Sequence, residues 1–286
     1  MLPKVWRPRY VVADCFISLY DTAVTDRGLI SPTSWAARAL KSLESRSYRA
    51  ADIIVVDTDL NASYFRETFE LTPSKVIALP LSIDESVFRP SPYLPSGDFC
   101  TVLFIGTFVP LQGADIIAQA AVILGARHDV RFRLIGSGQT AEAVERVFAG
   151  GRPENVEWVT QWVDSERLAE EIRDADICLG IFGAGSKAQR VWPLKNYAYM
   201  AIGRAIITGD TLLSRRMLQQ SDSAPFLTVP HGDPAALAAA IVTLAQHPER
   251  RKDYAKNARL FYDRNLCSHI AHEQLVSQLV RASSDG

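Results

Sequence analysis

The sequence predicts an α/β fold in two parts, an incomplete α/β segment followed by a complete α/β domain. Three observations predict it. Nine short, mostly β-branched runs recur along the 286 residues, and most are apolar on both faces, as strands are when helices cover both sides of a parallel sheet. Helical patterns stand between those runs, which is the alternation of β-α units. A stretch crowded with breakers, RPSPYLPSGD (89–98), separates the first three runs from the remaining six.

The first part holds RYVVADCFISL, DIIVVDT and KVIALPL, with a helix predicted over Thr33–Arg49. The second holds CTVLFIG, VRFRLIG, NVEWV, DICLGIF, AIITG and FLTV. Helices are predicted between them over Gly113–Leu124, Thr140–Phe148 and Glu166–Asp174, and again after Pro193, where a first-turn proline opens a helix that Gly203 closes. The tail is helical. DPAALAAAIVTLAQ begins with Asp233 as N-cap and Pro234 at the first helical position. Two more helices follow near 248–263 and 268–282. The two parts share an echo, since YRAADIIVV (48–56) and IRDADICLG (172–180) both read as a helix end, then Ala-Asp, then a strand.

Composition narrows the function. A hydrophobic share of 48% with 22% charged residues is that of a globular chain. A net charge of -1 lacks the basic excess of a general nucleic-acid binder. No apolar run reaches about 18 residues, so no spanning helix is expected. The N-terminal stretch MLPKVWRPRYVVADCF is broken by Asp14 and has no small-residue cleavage site, which makes it a poor signal peptide. Cys15, Cys100, Cys178 and Cys267 form no C-x-x-C pair, which disfavours zinc and dithiol chemistry; the first three read as core residues, and a reducing cytoplasm fits them. His269 and His272 stand at i, i+3 with no acidic or cysteine partner for a metal. No G-x-S-x-G elbow marks a serine hydrolase. On the predicted Thr33–Arg49 helix, Arg38, Lys41, Arg46 and Arg49 share broadly one side with Trp35 at its start, which suits a solvated face and an anionic membrane surface alike.

Three glycine-bearing turns could carry chemistry. In FIGTFVPLQG (104–113) a strand ends and a loop from Gly106 to Gly113 opens a helix. Glycines let backbone amides approach a ligand, and the helix N-terminus suits phosphate; the same residues also make an ordinary β-α turn. In LIGSGQTAEAV, Gly136-Ser-Gly138-Gln-Thr-Ala141 fits G-x-G-x-x-A with Glu157 about 20 residues on. That is a dinucleotide fingerprint, but it falls on the second β-α turn of the domain and not the first. GIFGAGSK nearly spells a phosphate-binding P-loop, with Lys187 one position late. Lys187, Arg190 and Lys195 in that segment are cations at the carboxyl edge of a parallel sheet, where phosphate binds, or else a solvated basic loop.

In their order, these segments resemble the GT-B glycosyltransferases of family 4 (group 1). VLFIGTFVPLQGADIIAQA, RFRLIGSG, NVEWVTQWVDSERLAEEIRDADICLGIF and KNYAYMAIGRAIITGD are similar to that family's C-terminal domain. KVIALPLSIDESVFRP resembles its last N-terminal strand and interdomain linker, and DCFISLYDT and AADIIVVDTDLNASYF the later part of its N-terminal domain. The resemblance covers nearly the whole chain. It implies a partial N-terminal Rossmann-like domain over 1–89, a linker at 90–97, a complete Rossmann-like nucleotide-sugar domain over 98–262, and a C-terminal helix over 263–286 that packs back on the N-terminal part. The family's N-terminal domain opens with a strand, a Gly-rich loop and about two more β-α units that are not found ahead of DCFISLYDT. Three readings follow: the chain is a fragment, its start is misplaced, or a protein partner or second copy covers that part.

The resemblance also implies roles. The donor is a nucleotide-diphospho-sugar, with no separate cofactor and no metal. Gly106, Thr107, Gln112 and Gly113 would contact the diphosphate, Gly136 and Gly138 the nucleotide, and Trp162-Val163 its base. Many members carry Arg and Lys where Thr107 and Gln112 stand. The family's paired glutamates map to Arg190 and Ala198, and Ala198 cannot hold a ribose hydroxyl. The diphosphate charge then falls to Lys195 and Arg190 first, Lys187 next. Asp14 and Asp21, near the carboxyl edge of an N-terminal strand, would meet a sugar, although Asp14 reads equally as a turn residue. The implied activity is sugar transfer to the hydroxyl of a glycan or glycolipid acceptor, with retention, in the cytoplasm or at the inner face of the membrane. Two other readings stay open: an NAD-dependent oxidoreductase on the G-x-G-x-x-A match, and a non-catalytic nucleotide-sugar or interaction domain.

Overall fold

The computed structural model describes residues 10–95 and 97–284, with side chains as far as 280. The reading of residues 1–9 lies outside the described residues. Among those described there are nine strands, one in each of the nine runs. They form two parallel sheets, and the chain divides into two compact units: Met1–Pro80 with Ala271–Gly286, and Leu81–Ile270.

The first unit carries β1 (Val12–Asp14), β2 (Ile53–Val56) and β3 (Val76–Ala78) in the order β1-β2-β3. Val12 lies opposite Ile53, and Ile54 opposite Val76. Helix α1 (Trp35–Ala50) starts where the Ser34 side chain accepts the Ala37 N–H. Helix α2 (Asp59–Phe69) is capped in the same way by Thr58. Tyr48, Ile54, Val56, Phe65, Phe69 and Val76 close a small core. Beside it the buried Glu44 carboxylate gathers the loop after β1, accepting the Ser18 and Tyr48 hydroxyls and the Leu19 and Tyr20 amides.

The second unit holds β4 (Cys100–Ile105), β5 (Val130–Ile135), β6 (Val156–Val159), β7 (Ile177–Leu179), β8 (Ala205–Gly209) and β9 (Leu227–Val229). Their order is β6-β5-β4-β7-β8-β9. The chain runs outward from β4 to β6, then returns to β7 and runs outward the other way. The switch point therefore lies between β4 and β7, and ligands of such sheets sit at the carboxyl ends of the strands there. Alternate strand residues such as Val102, Phe104, Phe132, Leu179 and Ile207 pack on α3 (Ala114–Ile123), α4 (Ala141–Val147) and α8 (Pro234–Gln246). Helices α5 (Ser165–Asp174), α6 (Leu194–Ile202) and α9 (Pro248–Asn265) form a second group, with α6 packed on both α5 and α9. Helix α7 (Leu212–Gln219) follows β8, and α10 (Ser268–Ser284) ends the chain.

Capping decides several boundaries. Asp233 accepts the Ala236 N–H at 2.9 Å, and Gly203 takes the left-handed conformation that ends α6. Asp233→Ala should cost about 1 kcal/mol, read as a fall of roughly 3 °C in Tm.

The breaker-rich stretch is anchored within the second unit. Ser91 N–H donates to the Ile202 carbonyl, and the buried Arg204 guanidinium donates to the carbonyls of Ser91, Arg173 and Gly203. Tyr93 O–H donates to Asp176, and Arg251 donates to the Tyr93 oxygen. Asp176 also accepts the Thr101 N–H at 2.9 Å while its own N–H donates to the Thr101 carbonyl. The first unit uses the same clip: Asp52 accepts the Val11 N–H at 2.8 Å and donates its own to the Val11 carbonyl. The repeated Ala-Asp is thus the residue that ties a strand's start to its neighbour in each sheet.

Candidate functional site

The carboxyl ends of β4, β5 and β6 open into a cleft of about 740 Å³ in the second unit. Each wall follows from a local feature of the chain. After Ile105 the backbone turns at Gly106, makes a 3₁₀ turn over Pro110–Gln112, and enters α3 through Gly113 at φ +63°. Phe108 in this loop holds φ +42°, which a bulky residue adopts only when its surroundings compel it. Its ring is fully buried and stacks on Trp158 at 5.7 Å, while its carbonyl accepts both the Thr140 amide and hydroxyl.

The loop after β5 lies directly against this one. A Cβ on Gly136 would stand 1.7 Å from the Gly106 carbonyl oxygen, and one on Gly138 2.0 Å from that of Thr107. Both glycines also sit at positive φ, +127° and +152°. The G-x-G spacing therefore serves the close approach of two loops. After β6, residues Thr160–Val163 form the rim before Asp164 caps α5. Trp162 is 86% exposed there, a large aromatic face held at the mouth of a cleft.

The fourth wall is the start of α6. Lys195 lines the cleft, but its Nζ is buried and has no hydrogen-bond partner within the protein. The nitrogen stands over the Phe104 ring, 3.7 Å from its centroid. Burial pushes its pKa well below the ordinary lysine value. Gln112 Oε1 is likewise buried without a partner, 2.1 Å from where a Gly106 Cβ would be. The cleft thus holds a buried amine over the Phe104 ring and, beside Gly106, a buried Gln112 carbonyl, neither with a hydrogen-bond partner within the protein.

Of the residues singled out from sequence, Gly106, Thr107, Gln112, Gly136, Trp162, Val163, Lys195 and Ala198 line this cleft together. Gly113 and Gly138 stand behind the wall; Gly113 packs on the Phe182–Gly183 backbone. Arg190 is 7% exposed, at the end of the 3₁₀ turn Ser186–Gln189 that also carries the half-buried Lys187, and neither is among the lining residues. Asp14 ends β1 in the first unit, exposed, accepting the Phe16 N–H in a turn. Asp21 is buried at the start of a π-helical turn. Glu157, the acidic residue of the dinucleotide fingerprint, pairs with Arg133 and lines a different groove.

Sequence reasoning missed the segment Ser82–Phe88. Ser82, Ile83, Asp84 and Phe88 line the cleft. Asp84 accepts the Ser86 amide and hydroxyl, which hold its carboxyl below the usual range. In sequence the segment reads only as part of the interdomain-linker resemblance, and not as a wall of the cleft. Among the described residues no group of three or more His, Cys, Asp and Glu could hold a metal.

The family description "Glycosyl transferases group 1" matches residues 100–247, more than half of the chain. The chain belongs to the glycosyl transferases group 1. That match takes in the sheet and all of the cleft except the Ser82–Phe88 segment. Among curated relatives, this group 1 transferase is 28% identical over 198 residues to a phosphatidyl-myo-inositol mannosyltransferase of Mycolicibacterium smegmatis, across 68% of this chain and 49% of that protein. It therefore spans about half the length of that relative. Among solved structures, a sucrose-phosphate synthase from Thermosynechococcus elongatus matches with a TM-score of 0.72 at 20% identity, over 95% of this chain and 68% of that one. Anabaena Alr3699/HepE, in complex with UDP and glucose, matches at 0.74 and 13% identity, over 95% of this chain and 72% of that one. The group 1 transferase thus has the GT-B arrangement of one three-stranded and one six-stranded parallel sheet.

Proposed function

We propose that the second unit binds a nucleotide-diphospho-sugar in this cleft, and that the chain transfers the sugar to an acceptor hydroxyl with retention of configuration. The observation that carries the reading is Lys195: a buried, unpartnered cation donor at the carboxyl edge of a parallel sheet, beside two glycine loops. Trp162 and Val163 would flank the base. Gly106, Thr107 and the Gly136 turn would face the diphosphate. In the transfer, the bond from the anomeric carbon to the diphosphate oxygen breaks and a bond to the acceptor oxygen forms. The diphosphate leaves with its electron pair, and the acceptor hydroxyl gives up its proton. Stabilising the departing charge is the largest service a protein can offer such a step. With Thr107 and Gln112 neutral, Lys195 is the cation of the lining that would give it, with Arg190 assisting from outside the lining. Asp14 is the candidate on the acceptor side.

The likeness to a phosphatidyl-myo-inositol mannosyltransferase makes a lipid-linked polyol the acceptor class to try first. No helix among the described residues is long and apolar enough to cross a membrane; the reading is that a lipid-linked acceptor would be met at the inner membrane face.

Calorimetry with UDP, GDP, ADP and NADH tests the donor site. One nucleoside diphosphate should bind at micromolar Kd, and Lys195→Ala should weaken it roughly 10- to 100-fold, the range of a hydrogen bond to a charged group. Binding of NADH alone, or of no nucleotide, would overturn the reading.

A further inference from the structure

We propose that a nucleoside diphosphate enters this cleft together with one proton, which Lys195 Nζ takes from solvent; the inference rests on the reading of the cleft as a diphosphate site. An ammonium at this position would have three N–H donors and no acceptor within the protein. Its surroundings supply little negative charge. From β4 it meets the Phe104 ring, whose face offsets only part of the lost hydration. The loops after β4 and β5 present Thr107, Gln112, Gly136 and Ser137, all uncharged. From α5 come Leu168 and Ile172, while the nearby Glu171 is engaged by Arg133 and Arg167. On α6 itself, burial holds the Tyr199 hydroxyl protonated, and it accepts the Ile105 amide. Asp84 is the one carboxylate among the described lining residues, and Ser86 occupies it. Lys195 is also the second residue of α6, at the positive end of the helix. Burial without an acceptor and the helix N-terminus favour the neutral amine in the empty cleft, against the partial offset of the Phe104 ring, in line with its depressed pKa. A diphosphate reverses them, since it brings acceptors and charge to the one place where an ammonium lacks both.

The sign follows from linkage. The complex holds one more proton than the separated partners, so affinity falls as pH rises. Between the Lys195 pKa of the empty cleft and that of the complex, Kd should rise tenfold per pH unit; below the first it should be flat.

The experiment is calorimetry at about pH 8, where the terminal phosphate is already ionised, in buffers of different ionisation enthalpy. The ligand is whichever of UDP, GDP and ADP binds. The slope of observed enthalpy against buffer ionisation enthalpy should show close to one proton taken up. Lys195→Met should bind more weakly with a slope near zero, and Lys195→Arg, charged at every pH, should bind with no uptake. A zero slope for the unaltered protein with the nucleotide bound would overturn the proton uptake and leave the nucleotide site standing. An unchanged slope in Lys195→Met would overturn it by moving the proton to another group. No nucleotide bound would overturn both readings. Should Lys195→Met fail to fold, Lys195→Arg and the parent slope decide the matter alone.

Discussion

Gly136→Ala should abolish nucleotide binding and destabilise the second unit by more than about 4 kcal/mol, the range reserved for severe backbone or core damage. Two penalties combine. Gly136 sits at φ +127°, where an L-residue is strained, and its new Cβ would press to 1.7 Å from the Gly106 carbonyl oxygen. That neighbour is backbone and cannot swing aside. Relief requires the two loops to part, which pulls Gly106 and Gly136 away from where the diphosphate is proposed to lie. Gly151→Ala provides the control, because its φ is +112° but nothing lies within 4 Å of its Cβ. That variant should pay conformational strain alone, about 1–2 kcal/mol. Urea denaturation of both, with calorimetry of the bound nucleotide, separates the terms. Equal losses in the two variants would mean that the loops are not in contact.

Asp176→Ala should lower stability by about 3–5 kcal/mol, the cost of leaving a buried charge uncompensated. The Asp176 side chain is 1% exposed and that of Arg251 6%, with Arg251 Nε 3.6 Å from the carboxylate. Removing the carboxylate leaves the Tyr93 hydroxyl and the Thr101 amide without their acceptor and the guanidinium without its counter-charge, although it still donates to Tyr93 and to the Leu244 and Ala245 carbonyls. A fall in Tm on the order of 10 °C is expected for a domain of this size. Asp176→Asn, which keeps an acceptor and loses the charge, should fall between. The pair Asp176→Ala with Arg251→Met should cost less than the sum of the two single changes, since the double variant buries no orphan charge. Strict additivity in that cycle would show that the two groups do not act as a unit.

The contrast between what was legible and what was not has a physical basis. All nine strands could be read because each lies in a short apolar, mostly β-branched run, and that is a local property; β7 and β8 are buried along their whole length. The ends of α6 and α8 could be read for the same reason: Gly203 and Asp233 act on backbone within their own turn. Gly106 and Lys195 were identified by their place in a β-α turn and a helix start. That the Lys195 nitrogen lies buried on Phe104, far along the chain, was not legible, because it depends on how α6 meets the sheet edge. The same holds for Asp84 and Phe88, whose segment becomes a wall of the cleft only by tertiary placement. Arg190 shows the converse. Its charge and its loop suggested a phosphate ligand, and it is buried at the end of a 3₁₀ turn, outside the lining.

The matching aspartate clips equate the two sheets strand for strand. Asp52 fastens β2 to the start of β1, and Asp176 fastens β7 to the start of β4. On that correspondence β1, β2 and β3 are the counterparts of β4, β7 and β8, one flank of the larger sheet. There β4 is the central seam, bonded to β7 on one side and to β5 on the other. Among the described residues its counterpart β1 is bonded to β2 alone, with Val12 exposed. Among the described residues, the smaller sheet thus has the counterpart of the seam strand at its border, where the larger sheet continues into β5 and β6.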